Sequence, residues 1–160
     1  MNIFKNKVVG IIIHLLLMAV GVLHEASAQE ITTPHKDSIT AIVMKYYELN
    51  LKIFQVGSGE KDVDKLFELF THDFIYEHPR YGGTYSRSEL YDGYRKGQEN
   101  GRYNGTTVDI KVENKIVGLK AVVVEKRFVK KTGNGLQNGK LEMTLFEFRN
   151  GKIARITEFW

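Results

Sequence analysis

The spacing of apolar residues changes once along this chain, and that change limits the fold class more than any other feature. Between Ser38 and about residue 100, the apolar positions mostly recur at helical intervals of three and four residues. From Val108 onward they alternate with polar positions, as in strands that are buried on one face. Helices followed by a run of strands predict an α+β fold, with three helices packed on one face of a curved, mostly antiparallel sheet.

Three segments predict the helices. The first runs from Ser38 to Ile53, with Asp37 or Ser38 as its N-cap. A second, shorter helix follows the glycines of VGSGEKD. Its apolar face is Val63, Leu66, Phe67 and Phe70. The third begins at the S-x-x-E capping box that Ser86 and Glu89 form.

Strands account for most of the remaining sequence. One strand, 73–78, precedes the PRYGGTY turn, and four more contain the alternation around Val108, then AVVVEKRFV, LEMTLFEF and KIARITEFW. Asn150-Gly151 predicts a two-residue hairpin turn, because both residues tolerate the positive φ that a type I′ turn requires. Asn138-Gly139 predicts a second turn, on a longer loop that starts at Thr132.

The first 28 residues have the pattern of a secretory signal peptide. Lys5 and Lys7 precede the apolar run VVGIIIHLLLMAVGVL, and EASA supplies an A-x-A cleavage pattern before Gln29. An uncleaved membrane anchor is the alternative. Cleavage predicts a single domain over residues 29–160, exported to the periplasm or secreted and no longer attached to a membrane.

Composition and motifs exclude several function classes. The chain has no cysteine, so an exported domain would depend on its apolar core and not on disulfides. The formal charge of +4 is too small to indicate nucleic-acid binding. We interpret the basic residues Lys126, Arg127, Lys130 and Lys131 as a solvent-exposed strand edge. Walker, G-x-G-x-x-G and G-x-S-x-G motifs are absent and the histidines lack a recognised metal-ligand spacing, so neither cofactor nor metal is expected.

A histidine lies at the end of the first predicted strand. Period-2 alternation puts Phe74, Tyr76 and His78 on one face of this strand. An imidazole among aromatic rings, beside Pro79, suits proton transfer in a small-molecule pocket. His78 is therefore the first catalytic candidate.

Three segments together are typical of one family: the FELFTHDFIYEHP transition, the Gly82-Gly83 turn before a capped helix, and the closing hairpin FEFRNGKIARITEFW. They resemble the SnoaL-like branch of the nuclear transport factor 2 (NTF2)-like superfamily. The resemblance covers roughly Ile39 to Trp160. It implies a cone in which a bent sheet wraps round a long helix and encloses a pocket. Ketosteroid isomerase, polyketide cyclases and an epoxide hydrolase share this scaffold, but a fold alone does not set function.

The resemblance also implies positions for catalytic groups. Ketosteroid isomerases use an aspartate base at a strand end, and an oxyanion hole made by a helix-one tyrosine and a protonated late-strand aspartate. The corresponding positions here are His78, Tyr46 and Thr144. Only the tyrosine is kept, and threonine cannot supply the strong acid that polarises an enolate. Steroid isomerisation is therefore not expected.

Strand parity and the resemblance assign further residues to the pocket. By alternation, Glu142, Thr144 and Phe146 share a face, and by resemblance Glu158 and Trp160 point into the same cup. An inward carboxylate beside aromatic rings must be paired, hydrated or protonated, which makes Glu158 the second catalytic candidate. The predicted ligand-binding residues are Phe74, Tyr76, Glu142, Thr144, Phe146 and Trp160.

Two hypotheses about function stay open. In the catalytic one, an isomerase, cyclase or hydrolase, His78 removes a proton or activates water, Glu158 orients it or acts as the acid, and Tyr46 stabilises an oxyanion. In the other, the domain binds a small apolar ligand without catalysis. His78 would then be hydrogen-bonded at the pocket floor, Glu158 exposed at an edge, and Tyr46 part of the core. Because the catalytic pattern is incomplete, binding is the preferred hypothesis.

The sheet itself predicts a partner. LEMTLFEF and AVVVEKRFV carry apolar residues on both faces, although helices are expected to cover only one face. An uncovered apolar face predicts a homodimer formed through the sheet.

Overall fold

The computed structural model describes residues 32–160, apart from the Tyr81 side chain, so the predicted signal peptide at 1–28 lies outside the described residues. This part of the chain contains three α-helices, one 3₁₀ turn (Pro79–Tyr81) and seven strands. The helices are α1 (Thr33–Ile53), α2 (Glu60–Phe67) and α3 (Arg87–Glu99). The strands are β1 (Phe70–His78), β2 (Gly83–Ser86), β3 (Thr107–Val117), β4 (Ala121–Thr132), β5 (Gly135–Asn138), β6 (Glu142–Arg149) and β7 (Lys152–Glu158).

The strands form one sheet in the order β2-β1-β7-β6-β4-β3, and β5 pairs with β4. β1 and β7 are parallel, with Tyr76 opposite Ile156, and the other neighbouring strands are antiparallel. Register shifts interrupt the β1–β7, β3–β4 and β6–β7 pairings, and such bulges bend a strand. The prediction of an α+β fold, with three helices and a mostly antiparallel sheet, is confirmed.

The hydrophobic core lies between the helices and one face of this sheet. Helical spacing buries Val43 and Ile53 of α1 and Leu66 and Phe67 of α2 almost completely. The strands contribute alternate residues, which are Phe74, Val122, Val124, Phe146, Ile153 and Ile156. Within residues 32–160, no helix combines the length and apolar character needed to cross a bilayer.

Helix α1 begins at Thr33, earlier than the sequence pattern predicts. Its N-cap is Thr32, which has an extended backbone (φ −71°, ψ 149°). Pro34 fits the first turn because N–H groups there have no intrahelical partner. The prediction that Asp37 or Ser38 caps this helix is therefore wrong.

The boundary between α2 and β1 also differs from the prediction. Helix α2 ends at Phe67, so Phe70 is the first residue of β1 and does not belong to the helix. Phe70 is nevertheless buried, because the strand places it opposite Ile153 of β7. An apolar residue at this position fits either a helix or a strand pattern, and the sheet pairing decides between them.

One predicted turn is confirmed and another is wrong. Asn150 and Gly151 have positive φ (52° and 74°) and connect β6 to β7, as predicted. Asn138-Gly139 makes no hairpin, because β4 and β5 pair across a turn between Thr132 and Gly135. The short strands β2 and β5 have no counterpart in the prediction.

The capping box predicted for the third helix is confirmed. The Ser86 hydroxyl accepts a hydrogen bond from the Glu89 backbone N–H at 3.3 Å. The Glu89 carboxylate accepts one from the Ser86 backbone N–H at 2.8 Å. This reciprocal pair fixes the start of α3, which carries Leu90 and Tyr94 of the site described next.

Candidate functional site

A cavity of about 240 Å³ lies between helices α1 and α3 and the inner face of the sheet. Aromatic rings make up most of its wall, and Asn50, Lys126 and Glu158 are its amide and charged side chains. We call it the inner cavity. Its lining residues are Tyr46, Tyr47, Asn50, Phe54, Tyr76, Leu90, Tyr94, Ile110, Lys126, Phe128, Glu158 and Trp160.

Three neighbouring strands bring charged and polar side chains together at the floor of the inner cavity. In the sheet register, Lys126 of β4 lies opposite Glu142 of β6, and Thr144 of β6 lies opposite Glu158 of β7. These residues share the inward face with buried apolar residues such as Val124. The antiparallel pairing alone therefore places an ammonium group between two carboxylates.

The Lys126 ammonium donates to three acceptors. Its Nζ lies 3.0 Å from the Thr144 hydroxyl and 3.3 Å from Oε2 of both Glu142 and Glu158. It also lies 5.3 Å from the centre of the Phe128 ring and 5.4 Å from that of Trp160. Lys126 is only 2 % exposed, so these contacts replace its hydration shell.

The Glu158 carboxylate is held by one of its two oxygens. Oε2 accepts hydrogen bonds from the Thr144 hydroxyl and Trp160 Nε1, both at 2.6 Å, and from Lys126. Within residues 32–160, Oε1 accepts none. The carboxylate is therefore fixed in orientation while its second oxygen stays available in a side chain that lines the inner cavity.

Tyrosines surround this carboxylate on the other walls. Burial raises the pKa of Tyr46 well above its usual value, and the neighbouring Tyr94 and Glu158 raise it further. Burial likewise raises the pKa values of Tyr47, Tyr76 and Tyr94, and Glu158 contributes to each. These phenols therefore remain protonated at neutral pH.

Asn50 links the two helices that carry the tyrosines. Its amide nitrogen donates to the Tyr46 carbonyl at 3.1 Å, and its amide oxygen accepts a hydrogen bond from the Tyr94 hydroxyl. Since the amide nitrogen is engaged by the helix backbone, the amide oxygen is directed at α3. The hydroxyl proton of Tyr94 is therefore used in the hydrogen bond to Asn50.

His78 lies beside the inner cavity and lines a neighbouring one. This second cavity measures about 430 Å³ and shares Phe54, Tyr76, Leu90 and Tyr94 with the inner cavity. The His78 ring is buried, and its centre lies 4.5 Å from that of Trp160 in an edge-to-face arrangement. Trp160 therefore contacts both His78 and Glu158.

The structure places the other predicted site residues in different surroundings. Tyr46, Tyr76, Glu158 and Trp160 line the inner cavity, and Glu142 lines a third cavity of about 450 Å³ that shares Phe54, Phe128 and Trp160 with it. Thr144 is fully buried and hydrogen-bonds Glu158.

Two predicted ligand-binding residues belong to the packed core. Phe74 stacks on Phe70 at 4.0 Å between ring centres, and Phe146 packs edge-on against Tyr46 at 5.1 Å. Both rings are 0 % exposed. Period-2 alternation correctly gave them an inward direction, but it does not distinguish a cavity wall from filled core.

The interpretation of Lys126 as part of a solvent-exposed strand edge is wrong. Lys130 and Lys131 are exposed as expected, whereas Lys126 is buried at the cavity floor. Its parity with Val122 and Val124, two inward residues of β4, is the signal that could have identified it.

Side chains of the kinds that bind metals are not clustered in the part of the chain that the structure describes. No three histidine, aspartate or glutamate side chains come together there as a metal ion would require. The glutamates at the cavity floor contact a lysine instead.

Residues 52–156 match the SnoaL-like domain. The chain belongs to the SnoaL-like domain family. No curated protein matches this SnoaL-like chain.

Solved structures share the fold. An NTF2-like protein from Anabaena variabilis is 15 % identical, with a TM-score of 0.56 over 81 % of this chain and 94 % of that one. A candidate SnoaL-like polyketide cyclase from Jannaschia is 14 % identical, with a TM-score of 0.55 over 81 % and 90 %. A candidate ketosteroid isomerase from Kribbella flavida is 17 % identical, with a TM-score of 0.52 over 78 % of each chain. At these identities the likeness shows the NTF2-like fold alone.

Proposed function

We propose that this SnoaL-like protein binds a small, largely apolar molecule in its inner cavity and holds the polar end of that molecule with Glu158. The observation that carries this proposal is the one-sided anchoring of the Glu158 carboxylate. Lys126, Thr144 and Trp160 fix Oε2, which leaves Oε1 as an oriented acceptor in the cavity wall. A few placed polar groups among apolar walls are typical of ligand sites.

The size and lining of the inner cavity support a small ligand. A volume of about 240 Å³ equals roughly eight water volumes at about 30 Å³ each, which suits a molecule of similar heavy-atom count. The buried Tyr47 hydroxyl also lines the cavity, where a ligand or water group could hydrogen-bond to it.

A ligand screen tests this proposal. Small molecules that occupy the cavity should raise the melting temperature of the wild type, because ligands that bind only the folded state stabilise it. The Glu158→Gln variant should lose most of this shift. The Glu48→Gln variant, altered on the exposed face of α1, should keep it. If no fragment binds, or if fragments bind Glu158→Gln as well as the wild type, the proposal fails.

Acid/base catalysis that uses His78 is the second candidate function. It is favoured by the position of His78 in the wall of the adjoining cavity and by its contact with Trp160, which donates to Glu158. Once a carbonyl compound that binds in the inner cavity is found, it would be incubated with the protein and analysed for conversion to a product. His78→Gln should abolish turnover and preserve binding, and unchanged turnover would exclude His78 as the base.

We also propose export, on the strength of the lysine-flanked apolar run and the A-x-A pattern at 1–28. Expression of the full chain, cell fractionation and mass spectrometry of the product would test it. The expected product begins at Gln29 and lies outside the cytoplasm. A full-length product in the membrane fraction would favour the anchor instead.

Finally, we propose that a second copy of the chain packs on the outer face of the sheet. Ile116 and Met143 are exposed there, around a concave site that includes Val123. Glu77, Glu147 and Arg155 place both signs of charge on this face, which suits a self-complementary contact. Analytical ultracentrifugation should give a dimer for the wild type and a monomer for Met143→Lys.

A further inference from the structure

We propose that the ligand of the inner cavity is an organic cation, an amine or quaternary ammonium compound of about choline size. This inference rests on the ligand-binding function proposed above and specifies its chemistry. The charge at the cavity floor is its starting point. One ammonium, Lys126, lies between two carboxylates, Glu142 and Glu158, which leaves a formal charge of −1. A net charge in so buried a place is unfavourable unless a counter-charge joins it.

The hydrogen-bond inventory at the floor favours a donor or cation over an acceptor or anion. All three protons of Lys126 are engaged, and the Thr144 hydroxyl and the Trp160 indole both donate to Glu158. Within residues 32–160, Oε1 of Glu142 and Oε1 of Glu158 accept no hydrogen bond. An anionic ligand would meet two carboxylates and no available floor cation.

Aromatic walls provide the second element of a cation site. Tyr46 and Tyr47 of α1 and Tyr94 of α3 line the helix side of the inner cavity. The faces of aromatic rings attract cations, and the attraction is strongest where water is excluded. Lys126 already exploits this property, since its Nζ lies over Phe128 and Trp160. The tyrosine rings offer the same surface to a second cation beside Glu158 Oε1.

The arginine and lysine that line the neighbouring cavity do not neutralise the floor. Arg102 and Lys130 line the neighbouring cavity of about 450 Å³ together with Glu142. Both are exposed to solvent, where salt screens their charge. Glu158 of the inner cavity and Glu142 of the neighbouring cavity therefore share one buried ammonium, Lys126, and this cluster keeps its excess negative charge.

A matched pair of probes tests this inference on the full folded chain. Choline and 3,3-dimethylbutan-1-ol have nearly the same shape, but only choline is charged. Isothermal titration calorimetry at fixed ionic strength should show that choline binds at least about tenfold tighter than 3,3-dimethylbutan-1-ol. The reason is that only the cation gains a desolvated contact with an aromatic ring and a carboxylate. Other amines and their neutral isosteres should follow the same order.

Two variants locate the effect. Glu158→Gln should abolish the preference for choline, because it weakens choline binding far more than binding of the neutral probe, and Glu48→Gln should leave both affinities unchanged. If Glu158→Gln fails to fold, Glu142→Gln removes a charge that is less buried and should reduce the preference several-fold. A preference unchanged in the folded variants would overturn the inference.

The outcomes separate the two proposals. If fragments bind but neutral compounds equal or exceed their cationic isosteres, the cation inference is overturned and ligand binding stands. If no fragment of either kind binds, ligand binding fails and the inference fails with it. A choline preference that depends on Glu158 supports both.

Discussion

The interior of this domain contains two regions that the same sheet builds by different means. In the packed region, Phe67, Phe70, Phe74 and Ile153 fill the space completely, and each is at most 3 % exposed. In the open region, Tyr46, Tyr76, Tyr94, Lys126 and Glu158 surround the inner cavity. Phenylalanine predominates in the first and tyrosine in the second. The difference shows that hydroxyl and charged groups are placed where the interior is left unfilled.

The largest effect is expected in the packed region. Replacing Phe74 by alanine should lower the free energy of unfolding by about 3 to 5 kcal/mol, because it removes a ring stacked on Phe70 and leaves a void. Urea denaturation measures the loss, and Phe159→Ala, at a half-exposed position, is the control. A small loss of unfolding free energy for Phe74→Ala would indicate that this ring lines a cavity. It would contradict the difference between the packed and the open region.

A similar but somewhat smaller loss is expected at the charged floor. Lys126→Met should cost about 3 kcal/mol, because Glu142 and Glu158 lose their shared ammonium partner. Adding Glu158→Gln to this variant should restore part of the stability, and a double-mutant cycle measures that coupling. Lys130→Met, at an exposed position, should change little. Equal losses for the two lysine variants would contradict the buried position of Lys126.

The capping box of α3 predicts a smaller change. Ser86→Ala should lower the free energy of unfolding by about 1 kcal/mol, because the Glu89 N–H loses its side-chain acceptor. Hydrogen exchange should increase at the start of α3 and leave the packed region unaffected. An equal loss of protection against hydrogen exchange in the packed and the open region would show that the two regions unfold as one unit.

The tyrosines of the open region predict an effect only at high pH. The pKa values of Tyr46, Tyr76 and Tyr94 are raised in the folded state, mainly by burial, above the unfolded value of about 10. Their contribution to stability is therefore complete below pH 10 and is lost as the pH rises further.

Absorbance at 295 nm would follow this ionisation. Tyr46, Tyr76 and Tyr94 should ionise only together with unfolding. Tyr94→Phe should reduce the absorbance change that accompanies unfolding by the contribution of one tyrosine. Ionisation of all tyrosines in a single early step, with the fold intact, would show that the open region is accessible to solvent.

The sequence predicts the packed region better than the open one. The spacing of Val63, Leu66 and Phe67 gives helix α2, and Asn150-Gly151 gives the last hairpin, because these signals are local. Phe70 shows the limit, since its place in a strand depends on pairing with Ile153, which is distant in sequence. The strands β2 and β5 are too short to carry a period.

The site illustrates the same limit more strongly. Strand alternation identifies Tyr76 as an inward residue, the resemblance to SnoaL-like proteins identifies Glu158, and both line the inner cavity. Parity applied to Lys126 would have done the same, but lysine is so rarely buried that composition argued against it. Only the register of strands β4, β6 and β7 shows that Glu142 and Glu158 lie where they can form ion pairs with Lys126. A buried charge can be predicted only with its partners.

The parallel pairing of β1 with β7 has a consequence for how the domain assembles. It joins segments far apart in sequence, as the contact between Glu77 and Thr157 across 80 positions illustrates. Contacts of such long range close a large loop and slow the search for the native topology. This pairing brings Tyr76 and Glu158 to the same cavity. A compound bound between these two residues would stabilise the long-range strand pairing and slow the unfolding of the domain.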